Sequence, residues 1–235
     1  FFFKKEGGIV QFAAGAGAYG LLLGVISTLL GVFPILFLAA GMVGVLLALR
    51  QGPSRFPLPP LYILLILAAV LSIGLVDALA PPVDTDEVYQ HLALPHQFLL
   101  EGHLLSGELH PDASRPLPVH MLYTALLSFG GASAAKIFHL LLSGLLLWAL
   151  WEVAERRIGE HSGLPCILLL IGSYSFVREI GLAYNNLPVA LWCLLALDSA
   201  LDNRPKPMAF FSGMALAAKY TAAPVLVGIY LAWVV

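Results

Sequence analysis

The chain has 235 residues, of which 60% are hydrophobic and only 11% are charged, and its formal net charge is -2. Because soluble domains carry about 25% charged residues, this composition excludes an ordinary soluble protein and predicts a membrane protein. Binding to a nucleic-acid backbone requires a basic surface that this chain lacks, so we expect no nucleic-acid partner.

Three apolar segments precede the most polar part of the chain. A spanning helix needs about 20 mostly apolar residues. The predicted spans lie near 9–29, 33–49 and 61–80. Gly31 and Pro34 mark the break between the first two, and the Pro-rich connector 50–60 precedes the third. Residues 1–80 therefore form a predicted unit of three transmembrane helices.

The next segment, 81–115, is predicted to be an external catalytic loop. Loops this long usually have a function, and between Asp77 and Arg115 there are seven acids and a single arginine. Short loops rich in Lys and Arg favour the cytoplasmic face of a membrane. If the first three spans alternate, the basic residues before the third span share that face: Lys4, Lys5, Arg50 and Arg55. The acidic loop then lies on the external face.

Residues 116–235 contain further apolar segments. They lie near 116–130, 134–151, 164–177, 182–201, 208–219 and 222–235. The fold class predicted is therefore an all-α, polytopic membrane protein with about eight or nine transmembrane helices. Arg156 and Arg157 would be external if 116–130 and 134–151 both crossed fully, which conflicts with the preference of short basic loops for the cytoplasmic face; a partial or a tilted crossing by the shorter segment 116–130 would resolve the conflict. The last segment ends abruptly, which indicates the N-terminal fragment of a longer protein.

The acidic loop contains a predicted amphipathic helix that lies on the membrane surface. Its predicted N-cap is Thr85 or Asp86, and it is predicted to end at Gly102 and to kink at Pro95. Its apolar side is predicted to carry Val88, Leu92, Phe98 and Leu99, and its polar side Glu87, Gln90, His91 and Glu101.

Three acids begin this helix: Asp84, Asp86 and Glu87. Their mutual repulsion raises at least one pKa unless a cation or a donor lies among them, which makes them candidates for a general base or for ligands of a divalent cation such as Mg²⁺ or Mn²⁺. The alternative is that Asp86 caps the helix and its neighbours are solvated acids. The histidines of this region do not have the usual zinc-site spacing, but one or two could contact phosphate or sugar hydroxyls.

Four stretches, in this order, resemble bacterial membrane glycosyltransferases of the GT-C fold, near the protein mannosyltransferase and aminoarabinose transferase group. They are "PPVDTDEVYQHLALPHQFLLEGHL", "RPLPVHMLYTALLSFGG", "AAKIFHLLLSGLLLWALWEVAERRIG" and "FFSGMALAAKYTAAPVLV". The resemblance covers about 75–227. It implies a GT-C-like fold with an external juxtamembrane helix, in the bacterial inner membrane with a periplasmic active site. It also implies sugar transfer from a polyprenyl-phosphate donor to an acceptor hydroxyl of a lipid, glycan or protein.

The resemblance also implies roles for individual residues. Asp86 corresponds to the acceptor-orienting base, and Glu87 completes an Asp-Glu pair. The implied substrate-binding residues are Asp84, His91, Arg115, Lys219 and Tyr220. Lys219, expected in a transmembrane helix, would face the donor phosphate. At Asn185 and Asn186, many relatives carry an acid, which puts a second carboxylate there in doubt.

Two other classes of function remain open at this stage. A secondary transporter would place its site at the bilayer midplane, and Arg178 and Glu179 are the best candidates for such an intramembrane pair. A noncatalytic polytopic membrane protein is the third alternative.

Overall fold

The computed structural model of this chain describes residues 7–51, 58–105 and 118–234. Every regular element in that part is helical, which confirms the predicted all-α class. The α-helices are α1 (Gly8–Leu30), α2 (Pro34–Gln51), α3 (Leu61–Leu79), α4 (Ala93–Glu101), α5 (Pro118–Arg157), α6 (Gly163–Ile171), α7 (Tyr174–Glu179), α8 (Asn186–Leu201), α9 (Pro205–Ala218) and α10 (Ala223–Val234). A π-helical turn (Glu87–Leu92) precedes α4, and a 3₁₀ turn (Tyr220–Ala222) precedes α10.

Three of the described helices, α1, α3 and α5, are long and apolar enough to cross a membrane. Even the shortest, α3, has 19 residues, and at about 1.5 Å per residue it nearly matches a hydrocarbon core of about 30 Å. The shorter apolar helices include α8 and α10. The chain is therefore described as a membrane protein, while the count of eight or nine spans stays a prediction.

Helix α5 combines two segments that the sequence predicts as separate spans. Its 40 residues contain a break at Gly131, where φ is 65° and ψ is -163°. A positive φ of this kind suits glycine, because a Cβ atom would be strained there. The half after Gly131 runs antiparallel to α3, since later residues of α5 meet earlier residues of α3. The contacts are Lys136 with Ala80, Leu140 with Gly74, and Gly144 with Leu71.

This antiparallel packing places the end of α5 at the opposite end of the helices from the acidic loop. Arg157 donates hydrogen bonds to Asp198 (2.8 Å) and Asp202 (2.5 Å), and Arg156 binds Asp198 at 3.1 Å. Arg204 joins the same network. Arg156, Arg157 and Arg204 thus lie at the opposite end of the helices from the acidic loop, and whether the first half of α5 crosses the membrane stays a prediction.

The last three helices fold back and forth on each other. The side chain of Asn185, just before α8, donates to the carbonyl of Ala218 at the end of α9 (3.1 Å). Trp233 near the end of α10 donates to Asn203 (3.2 Å), at the other end of α8. The chain therefore reverses direction around Lys219, whose backbone is extended (φ -159°, ψ 118°). This corner lies at the same end of the helices as the start of α8.

The juxtamembrane helix packs into the protein on one side. The amide of Val32, in the link between α1 and α2, donates to the carbonyl of Gly102 (2.7 Å), where φ is 71° and α4 ends. This confirms the predicted end of the helix at Gly102. Side chains of α1, α2, α4 and α5 form a small apolar cluster there: Leu23, Phe37, Leu94, Phe98, Met121 and Ala125.

The opposite placement of the two loops can be tested by labelling single cysteines in intact cells. In a background with Cys166→Ala and Cys193→Ala, we expect Glu101→Cys to react with an impermeant maleimide from outside. Glu160→Cys should react only after the membrane is permeabilised, because the two positions lie at opposite ends of the apolar helices. Both native side chains are exposed. Reaction of both cysteines from the same side would contradict this arrangement.

Candidate active site

A polar cleft of about 220 Å³ lies at the end of the helices that carries the acidic loop. It brings together four of the residues predicted from the sequence, namely Asp86, His91, Lys219 and Tyr220. Arg115 lies outside the described residues. The complete lining is Asp86, Gln90, His91, His120, Arg178, Glu179, Tyr184, Asn185, Asn186, Ala218, Lys219 and Tyr220. Asp84 and Glu87 lie close to this cleft but do not line it.

Asp84 caps the juxtamembrane helix. Its carbonyl accepts a hydrogen bond from the amide of Val88 (2.9 Å), and its side chain accepts one from the amide of Asp86 (3.1 Å). Asp is among the residues preferred at this position because its carboxylate satisfies an unpaired amide of the first turn. The predicted cap at Thr85 or Asp86 was therefore wrong. Asp86 already has helical backbone angles, and its exposed side chain borders the cleft.

The helix after Asp86 is π-helical rather than α-helical, and this changes which side chains face inward. Glu87 is 0% exposed and His91 is 6% exposed, so their predicted place on a solvated side was wrong. The i to i+5 hydrogen bonds of a π-helix bring residues five apart, such as Asp86 and His91, towards one side. Pro95 contributes to the irregularity because it lacks the N–H that would donate to the carbonyl of His91.

Asp84 also joins the juxtamembrane helix to the opposite wall of the cleft. Its carboxylate accepts hydrogen bonds from the Tyr184 hydroxyl (2.5 Å) and from Nη2 of Arg178 (2.6 Å). These two donors hold the pKa of Asp84 below its usual value, with the Tyr184 hydrogen bond as the largest cause. The pKa of Tyr184 is raised mainly by burial and, to a lesser extent, by its hydrogen bond to the Asp84 carboxylate. Asp84 is therefore an ionised structural link at neutral pH.

Glu87 is the centre of a buried charge pair. One carboxylate oxygen accepts from the amide of Ala183 (2.8 Å) and lies 3.7 Å from Nζ of Lys136. Lys136 is itself only 1% exposed and donates to the carbonyl of Ala80 (2.9 Å). Burial raises the pKa of Glu87, although the Ala183 amide and Lys136 oppose that effect. Glu87 thus binds protein groups behind the cleft instead of lining it.

Lys219 belongs to a hydrogen-bonded chain on the far wall of the cleft. Its Nζ donates to Oδ1 of Asn186 (2.5 Å), and Nδ2 of Asn186 donates to Oε1 of Glu179 (2.8 Å). Lys219 is half-buried at the corner after α9, so the prediction of a lone lysine within a transmembrane helix was wrong. Glu179 thus places a carboxylate beside Asn186. Its pKa is raised, mainly by burial.

The three acids that begin the helix do not form a set of metal ligands. Asp84 faces Arg178 and Tyr184, Glu87 faces Lys136, and only Asp86 borders the cleft. Within the described ranges no three His, Cys, Asp or Glu side chains are grouped as they would be around a metal ion. The acidic triplet therefore does not fit a shared cation, and a divalent cation held in another way stays a prediction.

Several residues of the site were not predicted from the sequence. His120, Lys136 and Tyr184 were not predicted at all, and Arg178 and Glu179 were predicted only as a transporter pair. One of them had a clear signal, because a lysine within the apolar run around Lys136 is costly to leave unpaired in a membrane and usually has a partner. Only tertiary contacts bring the others to the cleft.

None of the protein-family models, curated proteins or solved structures compared with this chain matches it. The case for a function therefore depends on the chemistry of the cleft. Two carboxylates, two cations, two imidazoles and several hydrogen-bond donors surround a space next to membrane helices. That combination can bind an anionic group and accept a proton from a neutral one.

The energetic role of the Glu87–Lys136 pair can be tested with a double-mutant cycle. Lys136→Met should lower the free energy of unfolding by about 3 kcal/mol, because it leaves a buried carboxylate without its counter-ion. Glu87→Gln should also destabilise the protein, but the double variant should lose clearly less than the sum of the two single losses. Denaturant unfolding in detergent micelles measures all four proteins.

The exposed Glu160 gives the matched control for this cycle. Glu160→Gln should change the free energy of unfolding by less than about 0.5 kcal/mol. Strictly additive losses at positions 87 and 136 would contradict a coupled pair.

Proposed function

We propose that this protein is a membrane glycosyltransferase of the GT-C type. It moves a sugar from a polyprenyl-phosphate donor to an acceptor hydroxyl. The observation that carries the proposal is the cleft itself, where the Asp86 carboxylate and the cations Arg178 and Lys219 surround one space at the end of apolar helices. A lipid-linked anionic substrate and a polar acceptor could meet there from the membrane and from water.

The cations of the cleft are suited to the phosphate of the donor. Lys219 and Arg178 supply charged donors, which form the stronger class of hydrogen bonds to phosphate. Helix α8, with 16 residues, begins at Asn186 beside them, and the N-terminus of a helix favours an anion. Positive charge placed there stabilises the leaving phosphate most strongly as its negative charge grows in the transition state.

Asp86 is the candidate general base. Asp84 binds Arg178 and Tyr184, and Glu87 binds Ala183 and Lys136, so Asp86 is the one of the three acids that borders the cleft. In the proposed reaction, the acceptor O–H bond breaks and its proton goes to Asp86. The acceptor oxygen forms a bond to the anomeric carbon, and the C–O bond to phosphate breaks with its electron pair on the phosphate.

The charge distribution supports a cleft on the external side of the membrane. Arg156, Arg157 and Arg204 cluster at the opposite end of the helices, and clusters of arginine favour the cytoplasmic face. In a bacterial inner membrane the cleft would then face the periplasm. The donor lipid would approach through the membrane, and the acceptor from the periplasmic side.

A secondary transporter is supported less well by these contacts. Arg178 binds Asp84 and Glu179 binds Asn186, so each of the two candidate transport residues has another partner beside the cleft. Arg178 and Glu179 lie at one end of the helices, whereas transporter sites usually lie near the bilayer midplane between repeats. The polar cleft also argues against a purely noncatalytic scaffold.

The replacement of Asp86 by Asn tests the general base. The full-length protein in proteoliposomes, supplied with labelled polyprenyl-phosphate sugars and membrane extract as acceptor, should transfer sugar. Asp86→Asn should lower kcat by about 100-fold or more, because general-base catalysis contributes at least that much. Glu101→Gln, an exposed acid on the same juxtamembrane helix outside the cleft, should transfer at the wild-type rate. Undiminished transfer by Asp86→Asn would remove Asp86 from this role.

The replacement of Lys219 tests the donor-phosphate site. Lys219→Gln should lower kcat/KM for the donor by about 10- to 100-fold, which corresponds to the loss of one charge-assisted hydrogen bond. Lys219→Arg should keep part of the activity because it retains the charge. The control is Lys206→Gln, at the opposite end of α9. Equal loss with Gln and Arg at position 219 would indicate a structural role instead.

A further inference from the structure

Two histidines of the cleft face each other through ring nitrogens. Nδ1 of His91 lies 3.1 Å from Nε2 of His120. The ring centroids are 5.3 Å apart and the ring planes differ by 12°. The centroid distance exceeds the nitrogen distance by about two ring radii, so both nitrogens lie nearly on the line between the ring centres. The rings are therefore almost coplanar and meet end to end, as in an imidazole–imidazole hydrogen bond.

This geometry determines how many protons the pair can hold. At 3.1 Å one of the two facing nitrogens must donate and the other must accept. A neutral pair that gains one proton keeps this bond and makes it charge-assisted. A second added proton would put a donor on both facing nitrogens and break the bond. The pair is thus suited to take up a single proton.

The protein holds this pair at the inner wall of the cleft. His91 is 6% exposed and His120 is 4% exposed, and they come from the π-helical turn and from the start of α5. The ring of Tyr184 lies 5.0 Å from that of His91. The other ionisable groups that line the cleft are Asp86, Arg178, Glu179, Lys219 and Tyr220, and the buried Glu87 and Lys136 lie behind it. The π-helical turn directs Asp86 and His91 towards the same side.

We propose that the His91–His120 pair is a proton relay between Asp86 and the leaving phosphate. This role rests on the glycosyltransferase function proposed above. The proton removed from the acceptor hydroxyl passes from Asp86 to the imidazole pair, which becomes singly positive. The pair then returns this proton to an oxygen of the departing polyprenyl phosphate. No net proton is gained or lost by the protein, and Asp86 is again ionised for the next turnover.

Ordinary proton affinities favour such an exchange. The pKa of an unperturbed histidine is about 6.5, and the second pKa of a phosphate monoester is about 6. As classes of group, imidazole and phosphate monoester therefore have similar affinities for a proton. The imidazole pair keeps its hydrogen bond when it gains one proton, so it can hold the acceptor proton between the two transfers.

Nuclear magnetic resonance tests the hydrogen bond directly. In the full-length protein, labelled with ¹⁵N-histidine and reconstituted in lipid nanodiscs, we expect scalar coupling between the two facing nitrogens across the hydrogen bond. His120→Gln should abolish it, whereas His96→Gln, an exposed histidine on α4, should leave it unchanged. Two uncoupled nitrogens would overturn the pair, whatever reaction the protein catalyses.

Transfer kinetics test the relay. His91→Gln and His120→Gln should each lower kcat by about 100-fold with little change in the donor KM. In a plot of kcat against pH, the change in rate that reflects protonation of the His91–His120 pair should also disappear. His96→Gln should retain the wild-type rate and profile. A wild-type pH profile in His91→Gln and His120→Gln would overturn the relay while leaving the proposed function intact. No sugar transfer by the wild-type protein would instead overturn the function, and the relay with it.

Discussion

The buried ion pair between Glu87 and Lys136 is the contact on which the candidate site depends. It joins the juxtamembrane helix to α5, and through Ala80 and Ala183 it also reaches the end of α3 and the segment before α8. Two charges removed from water cost several kcal/mol each, and only close pairing with further hydrogen bonds offsets that cost. One oxygen of Glu87 makes the contacts with Lys136 and Ala183, whereas the other is buried without a hydrogen bond from the described residues. The pair therefore ties four segments of the chain together beside the cleft.

This constraint explains how three neighbouring acids acquire three different environments. Repulsion among them would oppose ionisation unless positive groups lay nearby, and the fold supplies Arg178 to Asp84 and Lys136 to Glu87. Asp86 is then the acid left to border the cleft. Asp84 caps the helix and Glu87 forms the buried pair, so both have structural roles. Together they hold Asp86 at the cleft, where it can contact a substrate.

The sequence predicted the general character of this molecule better than its local contacts. The apolar segments identified an all-helical membrane protein, and Gly31, Pro34 and Gly102 marked helix ends correctly. The same reasoning failed for the helix after Asp86 because it assumed an α-helical period, and a π-helical turn moves Glu87 and His91 to the buried side. Spacing along the chain also gave no means of pairing His91 with His120, since that contact forms only when α5 packs on the loop.

The irregular backbone of this protein is concentrated at the cleft. The π-helical turn, the break at Lys219 and the segment between α7 and α8 all meet there, whereas a network of arginine and aspartate holds the opposite end. In a membrane, backbone that leaves helical geometry requires protein or water to satisfy its polar groups. Water at the cleft can do so, and the same interruptions bring Asp86, His91 and Lys219 from distant parts of the chain to one space. The chain has few polar residues, and the interruptions of its helices concentrate several of them at the cleft.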